Sequence, residues 1–142
     1  MKNKIFWFSL FLVFSSFLVF WCFISRNYKT IEINNKKFYV ELAQTSEEKS
    51  QGLSQRKNIR NNGGMLFIFS ESADYLFWMK EMRFDLDIIW IDKGRIAYIK
   101  KNVPHDFLEA INPEVRADQV LEIKSGLSDK YNFKIGDEVK VY

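Results

Sequence analysis

Residues 5–24 are twenty positions without a charge, broken only by Ser9, Ser15 and Ser16. At about 1.5 Å rise per residue a helix of this length spans roughly 30 Å, the hydrocarbon thickness of a bilayer. A transmembrane helix is therefore expected over 5–24, after a four-residue leader at 1–4. The segment ends Phe20-Trp21-Cys22-Phe23-Ile24, with no small-residue cleavage pattern, so the helix reads as an uncleaved anchor.

Beyond a short polar linker at 25–29, the period of the pattern changes to two. Residues 30–33 and 37–43 alternate apolar with polar positions around Asn34-Asn35, a pair that tolerates the positive φ of a tight hairpin turn. Thr45 stands three positions before Glu48, the spacing of a capping box, and Gly52 is placed to end the short helix that follows. After a polar loop at 54–62, Gly63-Gly64 leads into the apolar run 65–69, which reads as a buried strand. Runs at 75–80 and 86–91 read as further strands, and Asp92-Lys93-Gly94 turns the chain into an alternating strand at 95–100. The stretch 104–118 holds both prolines and is irregular, long enough for a functional loop. A strand at 119–123, a short helix at 128–133, a turn at Ile135-Gly136-Asp137 and a closing strand at 138–142 complete the pattern. Seven or eight short strands with frequent turns predict one mostly β domain over 30–142, a sandwich or barrel with one or two short helices.

Composition narrows the functional classes. Removing Lys2 and Lys4 lowers the net charge of +3 to +1, and no basic run is interleaved with aromatic residues, so nucleic acid is not an expected partner. Cys22 is the single cysteine and sits in the apolar segment. The β domain thus has no disulfide, thiolate nucleophile or cysteine metal cluster. Cys22 reads as a lipid-facing residue, with palmitoylation as the alternative; Phe20 and Trp21 before it do not suit a lipoprotein signal.

Six stretches in order, Gly52-Leu53 with Arg56, Gly64-Met65-Leu66-Phe67, Phe77-Trp78-Met79-Lys80, Leu86-Asp87-Ile88-Ile89, Leu121-Glu122 and Gly136-Asp137, resemble the prokaryotic family known as domain of unknown function 192. The resemblance implies a compact β fold related to jelly-roll sandwiches, in a family whose members are commonly exported or membrane-tethered. It brings no established activity. Basic residues flank the apolar segment on both sides, and a plain count of them favours a cytoplasmic domain. The basic leader resembles an export signal, and together with the family it implies an extracytoplasmic domain. The chain departs from the family pattern at Ser54, where methionine is usual, at Asp85, where proline is usual, and at 81–84, where an Asn-Thr opening is usual.

The candidate site residues are few. Arg56 has the planar fork that clamps a carboxylate or phosphate, with a salt bridge as its alternative role. Trp78 and Met79 would face opposite sides of a strand, so one is core and the other can wall a flat ligand. Asp85 and Asp87 would share a strand face, where two carboxylates can hold a hard cation or divide acid and base roles. Their alternative is structural, with Asp87 bonded to loop amides or Arg56 and Asp85 solvated. His105 is the only histidine, which excludes His-rich zinc centres and leaves it as a solvated loop residue. No complete catalytic set and no cofactor motif are present. The expectation is a non-catalytic module that binds a small molecule, glycan or envelope protein through Arg56, Trp78 and Asp87 around one cleft. The competing expectations are a metal-assisted enzyme using Asp85 and Asp87 with His105 or Glu109, and a structural interaction domain without a pocket.

Overall fold

The computed structural model describes residues 28–142. The expected anchor at 5–24 lies outside the described residues, among which no helix is long and apolar enough to cross a membrane.

The hairpin forms where the alternation places it, from β1 (Tyr28–Ile33) and β2 (Lys36–Ala43). Asn34 and Asn35 both take positive φ, at 49° and 62°, the backbone a two-residue turn needs to match strand twist. Ile31, Ile33, Phe38 and Val40 point to the core. Helix α1 (Ser46–Gln51) starts on the capping box: Glu48 N–H donates to Thr45 Oγ1 at 3.2 Å and Thr45 N–H to Glu48 Oε2 at 3.0 Å. It belongs to the crossover that lets β3 (Gly63–Asp74) run parallel to β2, a pairing no tight turn can make.

Strands β4 (Leu86–Asp92) and β5 (Arg95–Val103) form a second hairpin around Lys93 and Gly94, whose φ values are 48° and 72°. Strand β6 (Arg116–Lys124) inserts between β3 and β4, antiparallel to both. After the short helix α2 (Leu127–Lys130), β7 (Val139–Val141) pairs with β1. The strands make one sheet in the order β5-β4-β6-β3-β2-β1-β7. The sheet curls into a half-barrel, and its two edges meet at one end. Arg95 bridges Glu138 there, and Val139 N–H donates to Gly94 C=O at 2.8 Å. The fold is thus mostly β with two short helices, as expected, but it is a single curled sheet and not two packed sheets.

Several predicted elements differ in extent: β1 starts two residues earlier, within the expected linker, and β3 and β5 run on to Asp74 and Val103. The run 75–80 is not a strand: only Phe77 pairs, with Ile111. The strand read at 119–123 begins at Arg116, and the helix read at 128–133 shortens to Leu127–Lys130.

Both faces of the sheet are covered. One core contains Ile31, Leu66, Ile89, Leu121, Ile123 and Phe133. The other contains Met65, Phe67, Phe77, Ile88, Trp90 and Val120. Successive residues of β3, β4 and β6 therefore alternate between two cores, which is why these strands read as near-continuous apolar runs. Gly64 lies where β3 crosses β6, and a Cβ there would stand 2.4 Å from the Glu122 carbonyl oxygen. Gly64→Ala should lower the stability of the domain by roughly 2–3 kcal/mol, since the backbone must separate to admit the methyl. Urea unfolding followed by circular dichroism checks this, and an unchanged midpoint would refute the close approach.

Candidate functional site

Glu122 lies on β6, two residues before its end, opposite Met65 of β3 and Ile88 of β4. Its side chain falls on the face that carries Met65, Ile88 and Val120, and it is 5% exposed. Oε2 is buried and finds no hydrogen-bond partner among the described residues. Burial pushes the carboxyl up to about 8, against a smaller opposing pull from the Arg56 charge. The group is consequently a neutral acid at neutral pH, able to donate one hydrogen bond and accept others.

A pocket of about 230 Å³ opens over this carboxyl. Phe67, Phe69, Tyr75, Phe77 and Trp78 supply its aromatic wall, residues 49–54 of α1 and its exit supply the other side, and Lys49 and Lys80 stand among the lining residues. Gly52 leaves the helix at a φ of 52°, and a Cβ built on it would lie 3.3 Å from the Phe67 ring and 4.0 Å from Glu122 Oε2. Glycine thus meets both the backbone demand and the close approach.

The wall is held by specific contacts. Phe67 and Phe77 meet edge to face at 4.9 Å, and Phe77 meets Trp90 in the same way at 5.6 Å. Phe69 stacks on Tyr75. Trp90 Nε1–H donates to Tyr75 C=O at 2.9 Å, and Phe77 exchanges two backbone bonds with Ile111. These tie the irregular segment after β3 to the sheet. The Lys49 ammonium lies 4.6 Å from the centre of the Phe69 ring, within cation–π range. A more polar hollow adjoins the pocket, shares Trp78 and Lys80 with it, and adds Ser46, Glu47, Gln55 and Glu81.

The residues singled out in the sequence separate. Trp78 lines the pocket and is 55% exposed, whereas Met79 is buried, although the two do not stand on a strand. Arg56 is not among the pocket-lining residues; it makes a two-pronged ion pair with Glu41 at 2.5 and 2.9 Å, which holds its charge more firmly. Asp87 is fully buried and accepts backbone N–H bonds from Asn102, Gly126 and Ser128 at 2.8, 3.2 and 2.7 Å. It supplies the carboxylate at the start of α2, where Gly126 has no side chain to cap the helix. The expected single cleft around Arg56, Trp78 and Asp87 is therefore not formed.

Asp85 and Asp87 do not act as a pair either. Asp85 accepts from His105 N–H at 2.8 Å and contacts His105 Nδ1 at 2.9 Å, and these bonds hold its carboxyl below the usual range. Glu109 is exposed. No group of three or more metal-ligating side chains occurs among the described residues.

Sequence reasoning missed Glu122 as a chemical group and used it only as part of the Leu121-Glu122 family marker. The available signal was its place in Val120-Leu121-Glu122-Ile123. Apolar residues on both sides of that alternation leave the charged residue no solvent face.

The profile of the family described as "Uncharacterized ACR", domain of unknown function 192, matches residues 29–141. A solved structure from Sinorhizobium meliloti 1021, provisionally assigned as a transcription regulator, superposes with a TM-score of 0.77 at 28% identity, covering 83% of this chain and 96% of that one. A protein of unknown function from Novosphingobium aromaticivorans DSM 12444 gives 0.74 at 28% identity, covering 82% and 88%. No curated protein matches the chain.

The two buried carboxyls should respond to substitution with opposite signs. Glu122 has a folded value of about 8 against an ordinary 4.5. Below 4.5 it is neutral whether or not the chain is folded. Between 4.5 and 8 the unfolded chain alone ionises, so stability falls as pH rises, by at most about 1.4 kcal/mol per unit. Glu122→Gln should accordingly stabilise the domain by a few kcal/mol at about pH 8 and leave it nearly unchanged at about pH 4. Asp87→Ala should cost about 3 kcal/mol, because it removes the acceptor of three backbone N–H groups, that of Ser128 buried and those of Asn102 and Gly126 partly so. Thermal and urea unfolding across pH check both; a destabilised Glu122→Gln at pH 8 would show that the carboxyl has a structural partner.

Proposed function

The chain belongs to the domain of unknown function 192 family, and we propose that it serves as a membrane-tethered, extracytoplasmic module that binds a small molecule in the aromatic pocket over Glu122. One observation carries the binding reading: a buried carboxyl oxygen, without a partner among the described residues, belongs to a side chain that lines an open aromatic pocket. A polar group left so in a core lowers stability by about 1–3 kcal/mol, and of the three such oxygens among the described residues, on Asp118, Glu122 and Ser128, that of Glu122 alone belongs to a pocket-lining residue. A pocket with a few convergent polar groups on an apolar lining is the usual form of a small-molecule site.

The pocket's volume of about 230 Å³ favours a small molecule over a glycan chain or a protein partner. The tether rests on the apolar length of 5–24, which ends three residues before β1, and the extracytoplasmic side rests on the family resemblance and the basic leader. Transcription regulation, the provisional role of the Sinorhizobium protein, would need a basic face for phosphates, and the net charge of +3 gives that role little support.

The full chain, extracted from its own membranes in mild detergent and examined by native mass spectrometry, should carry a small-molecule adduct. Trp78→Ala, an exposed substitution in the pocket wall, should reduce the adduct's occupancy at least about tenfold, in line with truncation of a large aromatic contact. An adduct equally abundant in the variant would place the ligand elsewhere, and no adduct on the wild-type chain would count against a resident ligand.

A further inference from the structure

Building on the binding reading of the pocket, we infer that its ligand is a small zwitterion, with an ammonium group directed to Glu122 and an anionic group at Lys49 and Lys80. The inner end offers one carboxyl whose Oε2 has no partner among the described residues, and the rings of Phe67, Phe77 and Trp78 flank it. Aromatic faces beside an acidic oxygen are the recognition chemistry of ammonium and methylated ammonium groups. Lys49 already presents an ammonium to Phe69 at 4.6 Å, which shows that this rim of aromatic rings accommodates a cation.

A simple organic cation would meet repulsion from Lys49 and Lys80. A ligand with an anion at its other end turns the same two lysines into partners, so a zwitterion uses every charged group that lines the pocket. A neutral sugar would use the acid and the rings but leave both lysines idle.

The sign of proton coupling separates these classes. An ammonium ligand needs the carboxylate form, so binding releases the proton that burial keeps on Glu122. Around neutral pH this lowers affinity by roughly tenfold for each pH unit below 8. A neutral ligand that accepts a hydrogen bond from the acid shows the reverse. The other charged or titrating groups that face Glu122 or its pocket are Arg56 from the loop after α1, Lys49 from α1, and Tyr75 and Lys80 from the segment after β3. Arg56 is held charged by Glu41, and burial moves Tyr75 further above its ordinary range.

The test is isothermal titration of the full chain in detergent micelles with glycine betaine, choline and N-acetylglucosamine, at about pH 6, 7, 8 and 9. Glycine betaine should bind, weaken about tenfold per unit below pH 8 and level off above it. Glu122→Gln should lose at least about tenfold in affinity and the pH dependence with it, and Lys49→Ala should weaken glycine betaine several-fold while strengthening choline, which it frees from a repulsion. Glycine betaine binding that is absent at millimolar concentration, that is equal in Glu122→Gln, or that strengthens as pH falls would overturn the zwitterion. Tighter binding of N-acetylglucosamine would overturn it in favour of a neutral ligand. A native adduct lost in Trp78→Ala, together with failure of glycine betaine, would leave the pocket standing and remove only this ligand class. Failure of both experiments would remove the pocket as well.

Discussion

Strand β6 is hydrogen-bonded along both edges and covered on both faces, so no side chain at its centre has a route to water except through a gap in the covering layer. Every feature of the candidate site follows from that constraint. The cover on one face is not a second sheet but Leu53, just past the end of α1, and the segment after β3, whose Phe77 and Met79 are buried and whose Phe77 bridges Ile111. Where these two pieces fail to close over Glu122, a pocket remains. Gly64 and Gly52 mark the places where the packing is tightest around it, one against the backbone of Glu122 and the other against Phe67 and the Glu122 carboxyl.

Two buried carboxylic acids in the same fold show how differently a sheet can treat one functional group. Asp87 meets three backbone N–H donors and fastens the end of β5 and the start of α2 to β4. Its oxygens are met by local donors, as a buried polar group requires. Glu122 is offered no such donors for Oε2 and is instead kept neutral by its surroundings. A satisfied acid is part of the scaffold, whereas an unsatisfied one beside a pocket retains bonding capacity for something that arrives from outside. Such perturbed groups concentrate at functional sites, although structural ones occur too.

Much of the fold was legible because its signals are local. The Asn34-Asn35 hairpin, the Thr45-Glu48 capping box and the Lys93-Gly94 turn each depend on residues within a few positions of one another. The run 75–80 misled because an apolar stretch has the same appearance whether it pairs as a strand or caps a core, and here Phe77 and Met79 cap while Trp78 stays outside. The site was harder to read. Arg56 finds Glu41 fifteen positions away, and Asp87 finds Ser128 forty-one positions away, separations over which a single sequence has no pairing signal. Glu122 was visible as a charged residue in an apolar strand, but its importance depends on β6 being central and covered twice, which is a property of the topology.

The central claim is that Glu122 is a neutral acid lining the pocket, its buried Oε2 without a partner among the described residues, and site-resolved carbon NMR of its carboxyl across a pH titration tests it most directly. The account expects an inflection at about 8, absent in Glu122→Gln. An inflection near the ordinary 4.5 would mean that water or an internal donor already satisfies the group, and would contradict it.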